Sequence, residues 1–451
     1  MFKQLLVSTL AMAGACSTLW AAQSGADKGS YRDIPPQYDF PASAAVLDQY
    51  RTSADVSGER RHAWQLFAGI TSPNADGRPI WESWYTRLYT FRADEAAPPP
   101  TNRAASLVTL RQAMLGPGDK LVAPRSPNLS DILFNRAAYD HIRRNRLYLK
   151  STLERLNASF PPGTPVWKRS IPDFPREAVV LKVVYWPVMR DRMTPMPIWD
   201  FNPVNRYSPE TPLPANPQQS WSRVVAIDPR PAAIPPDTST DILFDGKLRT
   251  GAHVVPLSSF YAVRLDAALV AQMRQNVYFM RSVAMVFGEG RTIQPGDYIV
   301  VAAIHITTKE TPGWVWASAW WHDQPNDGPL AVGRPNNVTG VWRNYLLATT
   351  YDAYLPLESD GSPNITYNPW MEAVDQGGIQ SNCAACHARA TFPGVASDPA
   401  TRGINDPFYN KAIFPNGQDP AFDGTRLMLD ALWSIYIESD PPVVPATPPS
   451  G

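Results

Sequence analysis

The sequence predicts a mixed α+β chain with a helical N-terminal part, a β-rich middle and a small helical C-terminal region. Three observations predict it. Residues 130–159 run without a single Gly or Pro in a polar–apolar pattern, which reads as helix. From Pro175 onward the texture changes to β-branched and aromatic runs bounded by Pro, Gly and Asp, which read as strands. After residue 364 such runs stop, and residues 425–439, "TRLMLDALWSIYIES", carry an apolar stripe closed by Pro441 and Pro442, the pattern of a terminal helix.

The chain has 451 residues, 44 % hydrophobic and 18 % charged. That is enough apolar surface for a sizeable core and long enough for two or three domains. Acidic and basic residues balance at 41 each, so no nucleic-acid partner is expected. The 47 prolines are about twice the usual ~5 % share and imply many loops.

Residues 1–22 read as a signal peptide: Lys3 precedes the apolar run "LLVSTLAMAGA", and small residues follow at Ala21 and Ala22. The mature chain is therefore expected in the periplasm. Lipid anchoring through Cys16 is the alternative, since "AGAC" puts small residues before a cysteine. No later stretch reaches the ~20 apolar residues of a membrane span. Residues 23–165 are expected to be mainly helical, in "DFPASAAVLDQYRTS", "ERRHAWQLFAGI" and 130–159, with "HIRRNR" on a solvated face. Residues 175–357 form the β-rich part, built on "EAVVLKVVYWPV", "SRVVAIDP", "GAHVVPLSSFYAVRL" and "GDYIVVAAIHITTKE". Residues 358–364 read as a linker, 365–442 as a further region, and 443–451 as a proline-rich tail.

The region 365–442 contains "SNCAACHARA", with Cys383, Cys386 and His387 in C-x-x-C-H spacing. In an oxidising compartment such a pair is a disulfide, a redox dithiol, half a zinc site or a haem attachment. Zinc needs a second ligand pair, and only Cys16 remains. The aromatic residue that usually precedes a redox dithiol is absent from "QSNCAACH". The adjacent His387 favours haem, because two thiols two residues apart reach one edge of a porphyrin and the next imidazole reaches the iron. Ala384 and Ala385 keep the backbone close.

With these residues the chain resembles c-type cytochromes over at most its last eighty or so positions. The resemblance implies one covalent haem c held by Cys383 and Cys386, with His387 as the proximal iron ligand. It implies a helical cytochrome c-like fold for the C-terminal region and a methionine as second ligand. Met428 is the only methionine after His387 and is the distal candidate. It also lies on one helical stripe with Leu432, Ile435 and Tyr436, which fits core packing equally.

A second stretch, "YIVVAAIHITTKETPGWVWASAWWHD", reads as a hairpin turning at Thr311-Pro312-Gly313. Alternation then puts His305, Thr307 and Lys309 on one face with Trp314, Trp316, Trp320 and His322. The other face carries Ile304, Ile306, Val315, Ala317 and Trp321. Two readings stay open. Either the first face is covered by the N-terminal helices, or it lines a haem crevice and supplies His305 or His322 to the iron. His305 is the alternative distal candidate, and Met371 is a further methionine to consider. This hairpin, with "NPWMEAV", is similar to segments of uncharacterised bacterial secreted proteins carrying one C-terminal haem-c motif.

The expected function is electron transfer by a periplasmic monohaem cytochrome with a redox partner protein. The alternative is a haem-c enzyme for peroxide or small-molecule redox chemistry, or haem-assisted isomerisation, with its substrate pocket in the β-rich part. "GEGRTIQPGD" lacks the ending of a phosphate loop and suits a turn before a strand.

Overall fold

The structure is a computed structural model. It describes residues 31–53, 55–91, 114–115, 121–122, 129–200, 221, 223–274, 277–288, 290–351, 366–372, 383–388, 390–393 and 425–439. The leader with Cys16, the linker 358–364 and the tail 443–451 lie outside these residues. So does the side chain of Cys386.

The fold is mixed α+β. The strands in chain order are β1 (Tyr85–Thr86), β2 (Met114–Leu115), β3 (Leu121–Val122), β4 (Leu129–Phe134), β5 (Val179–Val188), β6 (Thr194–Ile198), β7 (Arg223–Asp228), β8 (Ser239–Phe244) and β9 (Lys247–Pro256). They continue with β10 (Ala262–Arg264), β11 (Tyr298–Thr308), β12 (Val315–Trp321), β13 (Tyr345–Tyr351), β14 (Thr391–Phe392) and β15 (Leu427–Met428). The main sheet is antiparallel in the order β1-β4-β5-β11-β12-β13, and β10 shares one edge of β11 with β12. A second, mixed sheet runs β6-β7-β9-β8, with β7 and β9 parallel. β2 pairs β3 and β14 pairs β15 as two small ladders.

The strands expected from the β-branched runs are β5, β7, β9 with β10, β11 and β12. Every position of β12 and β13 is buried, and all but Tyr298 of β11, because both faces of the central sheet are covered. The helix Val56–Thr71 covers one face. It starts at Asp55, whose side chain accepts the Gly58 N–H, and it packs Trp64 and Phe67 into the core that holds Ile304, Ile306, Ala317 and Ala319. An opposite core holds Phe134, Leu153, Val180, Trp314, Trp316, Cys383 and Ala384.

Three expectations are corrected. Residues 130–159 are not one helix: they contribute β4, then the helices Arg136–Arg144 and Lys150–Ala158. Asn135 is the reason for the break. Its side-chain oxygen caps the first helix through Ala138 N at 3.0 Å and accepts Val179 N from the neighbouring strand at 2.9 Å. The "HIRRNR" cluster is not wholly solvated, because His141 and Ile142 are buried. His141 Nε2–H donates to Pro172 O at 2.9 Å.

The third correction concerns residues 425–439. The helix covers only Trp433–Glu438, while Leu427 and Met428 form β15. Asp430 and Ala431 take left-handed φ values of 46° and 66°, which a right-handed helix does not admit. Among the described residues no helix is long and apolar enough to cross a membrane.

Candidate functional site

The hairpin register places the imidazoles. Across the main sheet, direct pairing joins Ile132, Lys182, His305, Ser318 and Ala348 in one row. The next row is Phe134, Val180, Thr307, Trp316 and Thr350. Paired residues share a face, so His305 and Trp316 look the same way, as the alternation predicts. That face is the one away from the helix Val56–Thr71.

The helix Cys383–His387 lies against this face over β12 and β13. Its start is tied down by backbone: Cys383 N donates to Thr366 O at 3.1 Å, and Thr366 Oγ1 donates to Thr349 O at 3.2 Å. Cys383 is buried, and its Sγ lies 3.4 Å from Thr366 O. Its end is fixed through the ring of His387, whose Nδ1–H donates to Ala431 O at 2.8 Å. That bond settles the tautomer: the proton is on Nδ1 and the lone pair on Nε2. The same arrangement orients metal-binding histidines in general.

His387 meets the hairpin directly. Its ring centre is 4.3 Å from Trp316 and 5.9 Å from His305. Burial pushes His387 down to about 4, and the positive Lys182 adds to this while the Ala431 bond opposes it. Burial, His387 and Lys182 hold His305 well below its ordinary value. Both imidazoles are therefore neutral near pH 7, the form that offers a lone pair.

A second set of contacts holds the carbonyl that holds His387. Asp430, next to Ala431, accepts Lys309 Nζ at 2.5 Å, Trp314 Nε1 at 3.0 Å and Phe174 N at 3.1 Å. Lys309 and Trp314 come from the hairpin turn, so the strand pair that carries His305 also fixes Ala431.

The other predicted residues lie elsewhere. Met428 is buried on β15, its backbone bonded to Arg169 and Ile171. Leu427 and Leu429 on either side of it enter the core that holds Cys383, and Met428 does not, as strand alternation requires. It shares no helical stripe with Leu432, Ile435 and Tyr436. His322 is turned away from His387: its Nδ1 accepts Gln324 N at 2.9 Å, and its Nε2 is 3.4 Å from Asp200. Met371, in the helix Pro369–Glu372, packs with Trp370 into the other core. Sequence reasoning missed Ala431, Asp430 and Ser318. Only Ser318 carried a signal, its even number on the strand facing His305.

Among the described residues no group of three or more His, Cys, Asp or Glu is placed to hold a metal ion. Two imidazoles suffice only where the remaining coordination comes from a macrocycle, and the donor set fits a haem in that sense. No family model, curated protein or solved structure matches the chain.

Proposed function

We propose that the chain is an exported monohaem c-type cytochrome that passes electrons to a redox partner protein, with the haem held by Cys383, Cys386 and His387. The observation that carries the reading is the His387 Nδ1–H bond to Ala431 O, which leaves Nε2 as the ligating nitrogen at the end of a C-x-x-C-H helix. The two thiols add across the two vinyl groups; each S–H bond and C=C π bond is exchanged for an S–C and a C–H bond, and no atom is lost. Bound there, the haem supplies one-electron exchange at its iron. The protein supplies the rest. Thr366 anchors the first thiol, Ala431 aims the imidazole, and Trp316 covers its ring against water. A helical cytochrome c-like fold for residues 365–442 belongs to the same proposal.

Export into the periplasm belongs to the same proposal, carried by the leader pattern of residues 1–22. The enzyme alternative needs an iron position open to a small molecule. The closeness of His305 to His387 favours the carrier.

The test is covalent retention. Expressed with its leader in a host that matures c-type cytochromes, the protein should keep its haem through denaturation and acid-acetone extraction. Cys383→Ala with Cys386→Ala should abolish that retention. Haem stripped from the wild type, or never bound, overturns the proposal.

A further inference from the structure

His305 is 6 % exposed, and among the described residues its buried Nε2 has no hydrogen-bond partner. An orphaned buried nitrogen in a native core calls for an explanation, and an absent ligand is one. It is not alone. Among the described residues Trp320 Nε1 and Thr350 Oγ1 are also buried without partners, and the register puts both on the same face of β12 and β13 as His305. Two of these residues, His305 and Thr350, lie in the rows at and beside Trp316, which packs in one core with Cys383 and Ala384.

We propose that His305 Nε2 is the second axial ligand of the haem iron, an inference that rests on the haem-c reading of His387. The ring is held for it: His305 Nδ1 lies 2.5 Å from Ser318 Oγ, and with Nδ1–H donating, the lone pair is on Nε2. The ring centres of His305 and His387 are 5.9 Å apart. Their planes lie 26° from parallel, and the centre-to-centre distance is of the order that two imidazole–metal bonds of about 2 Å each would span. Met428 faces out of the core that holds Cys383, and Met371 packs into the other one. A β-strand thus presents the distal ligand, where the resemblance to c-type cytochromes implies a methionine.

The experiment uses the full-length holoprotein and three variants, read by visible absorption, electron paramagnetic resonance and carbon monoxide binding. Wild type should be low-spin bis-imidazole, without the thioether-to-iron charge-transfer band, and should not bind carbon monoxide. His305→Ala should keep its covalent haem, turn high-spin, bind carbon monoxide and return to low-spin when imidazole is added. Met428→Ala should leave the spectrum unchanged. His305→Met should remain six-coordinate with a raised reduction potential, because thioether favours ferrous iron more than imidazole does. If His305→Ala does not accumulate, the wild-type spectrum and His305→Met decide. A thioether band in wild type, or a wild-type spectrum in either His305 variant with haem retained, overturns the assignment and leaves the haem-c reading standing. Loss of covalent haem from wild type overturns the haem-c reading itself.

Discussion

Replacing Asp430 by Ala tests whether the clamp on Ala431 has the strength its geometry implies. The carboxylate and the Lys309 ammonium are each 8 % exposed, so they form a buried pair. Among the described residues, Asp430→Ala leaves that ammonium with Pro312 O as its one acceptor, at 3.0 Å, and removes the acceptor of Trp314 Nε1 and Phe174 N. Breaking a buried pair by deleting one partner costs about 3–5 kcal/mol, and each orphaned neutral donor about 1–3 kcal/mol more unless water reaches it. The left-handed φ of 46° adds a further burden that Asp tolerates better than Ala. The expected loss is about 5 kcal/mol or more, a large share of the 5–15 kcal/mol typical of a native protein. Urea unfolding followed by tryptophan fluorescence measures it. Lys309→Met supplies the sign. It should destabilise the wild type, yet stabilise Asp430→Ala by removing the stranded charge. A loss under about 1 kcal/mol for Asp430→Ala, the range of an exposed pair, refutes the reasoning.

Two more predictions concern other parts of the sheet. Glu310 has no side-chain exposure and accepts Ala42 N at 2.7 Å, Thr308 Oγ1 at 2.6 Å and His62 Nε2–H at 3.2 Å, while the other His62 nitrogen bonds Tyr351 Oη. Glu310→Ala should therefore cost about 3 kcal/mol or more in urea unfolding, yet leave any haem spectrum unchanged, since His62 and Tyr351 lie on the face away from His305. Acid should weaken the protein through Asp200 and Asp323: burial alone would raise both carboxyls, but hydrogen bonds and charge from Arg223 hold them below the usual 3.8. The unfolded chain then takes up protons first, so this stability is present above pH ~4 and is lost as pH falls further. Melting temperature followed from about pH 6 to about pH 3 should drop less in Arg223→Gln than in wild type; equal slopes count against the assignment.

The hairpin was legible because alternation is a local property: once the turn is centred on Thr311-Pro312, the pairing of His305 with Ser318 and Thr307 with Trp316 follows. β4 was not legible, since "LSDILF" runs into a helix with no Gly or Pro between them. The break is made by one Asn bonded to a strand more than forty residues away. β6, "TPMPI", was hidden by its two prolines, which the sheet tolerates because β6 is an edge strand and Pro195 and Pro197 fall at alternate positions. Residues 425–432 look helical by pattern, but Ile171, Arg169 and Ala390 take their backbone groups sideways, and tertiary bonding overrides propensity. The same cause hid Ala431. A carbonyl carries no sequence signature, and its partner His387 is 44 residues away.

The packing also bears on the size of the chain, which has 451 residues. The C-x-x-C-H helix has five residues, far fewer than the ~12–15 an isolated helix needs in water. Its order must come from what it touches. Those neighbours are Trp314 and Trp316 from the hairpin, Val180 from β5, Phe134 from β4 and Leu153 from the helix after it, all in one core with Cys383 and Ala384. His387 is aimed by Ala431, Ala431 adjoins Asp430, and Asp430 is held by Lys309 and Trp314. The ring thus takes its orientation from the same hairpin that carries His305. On the haem-c reading, the preceding residues serve as the wall and the second ligand of the site, and their number needs no separate catalytic purpose.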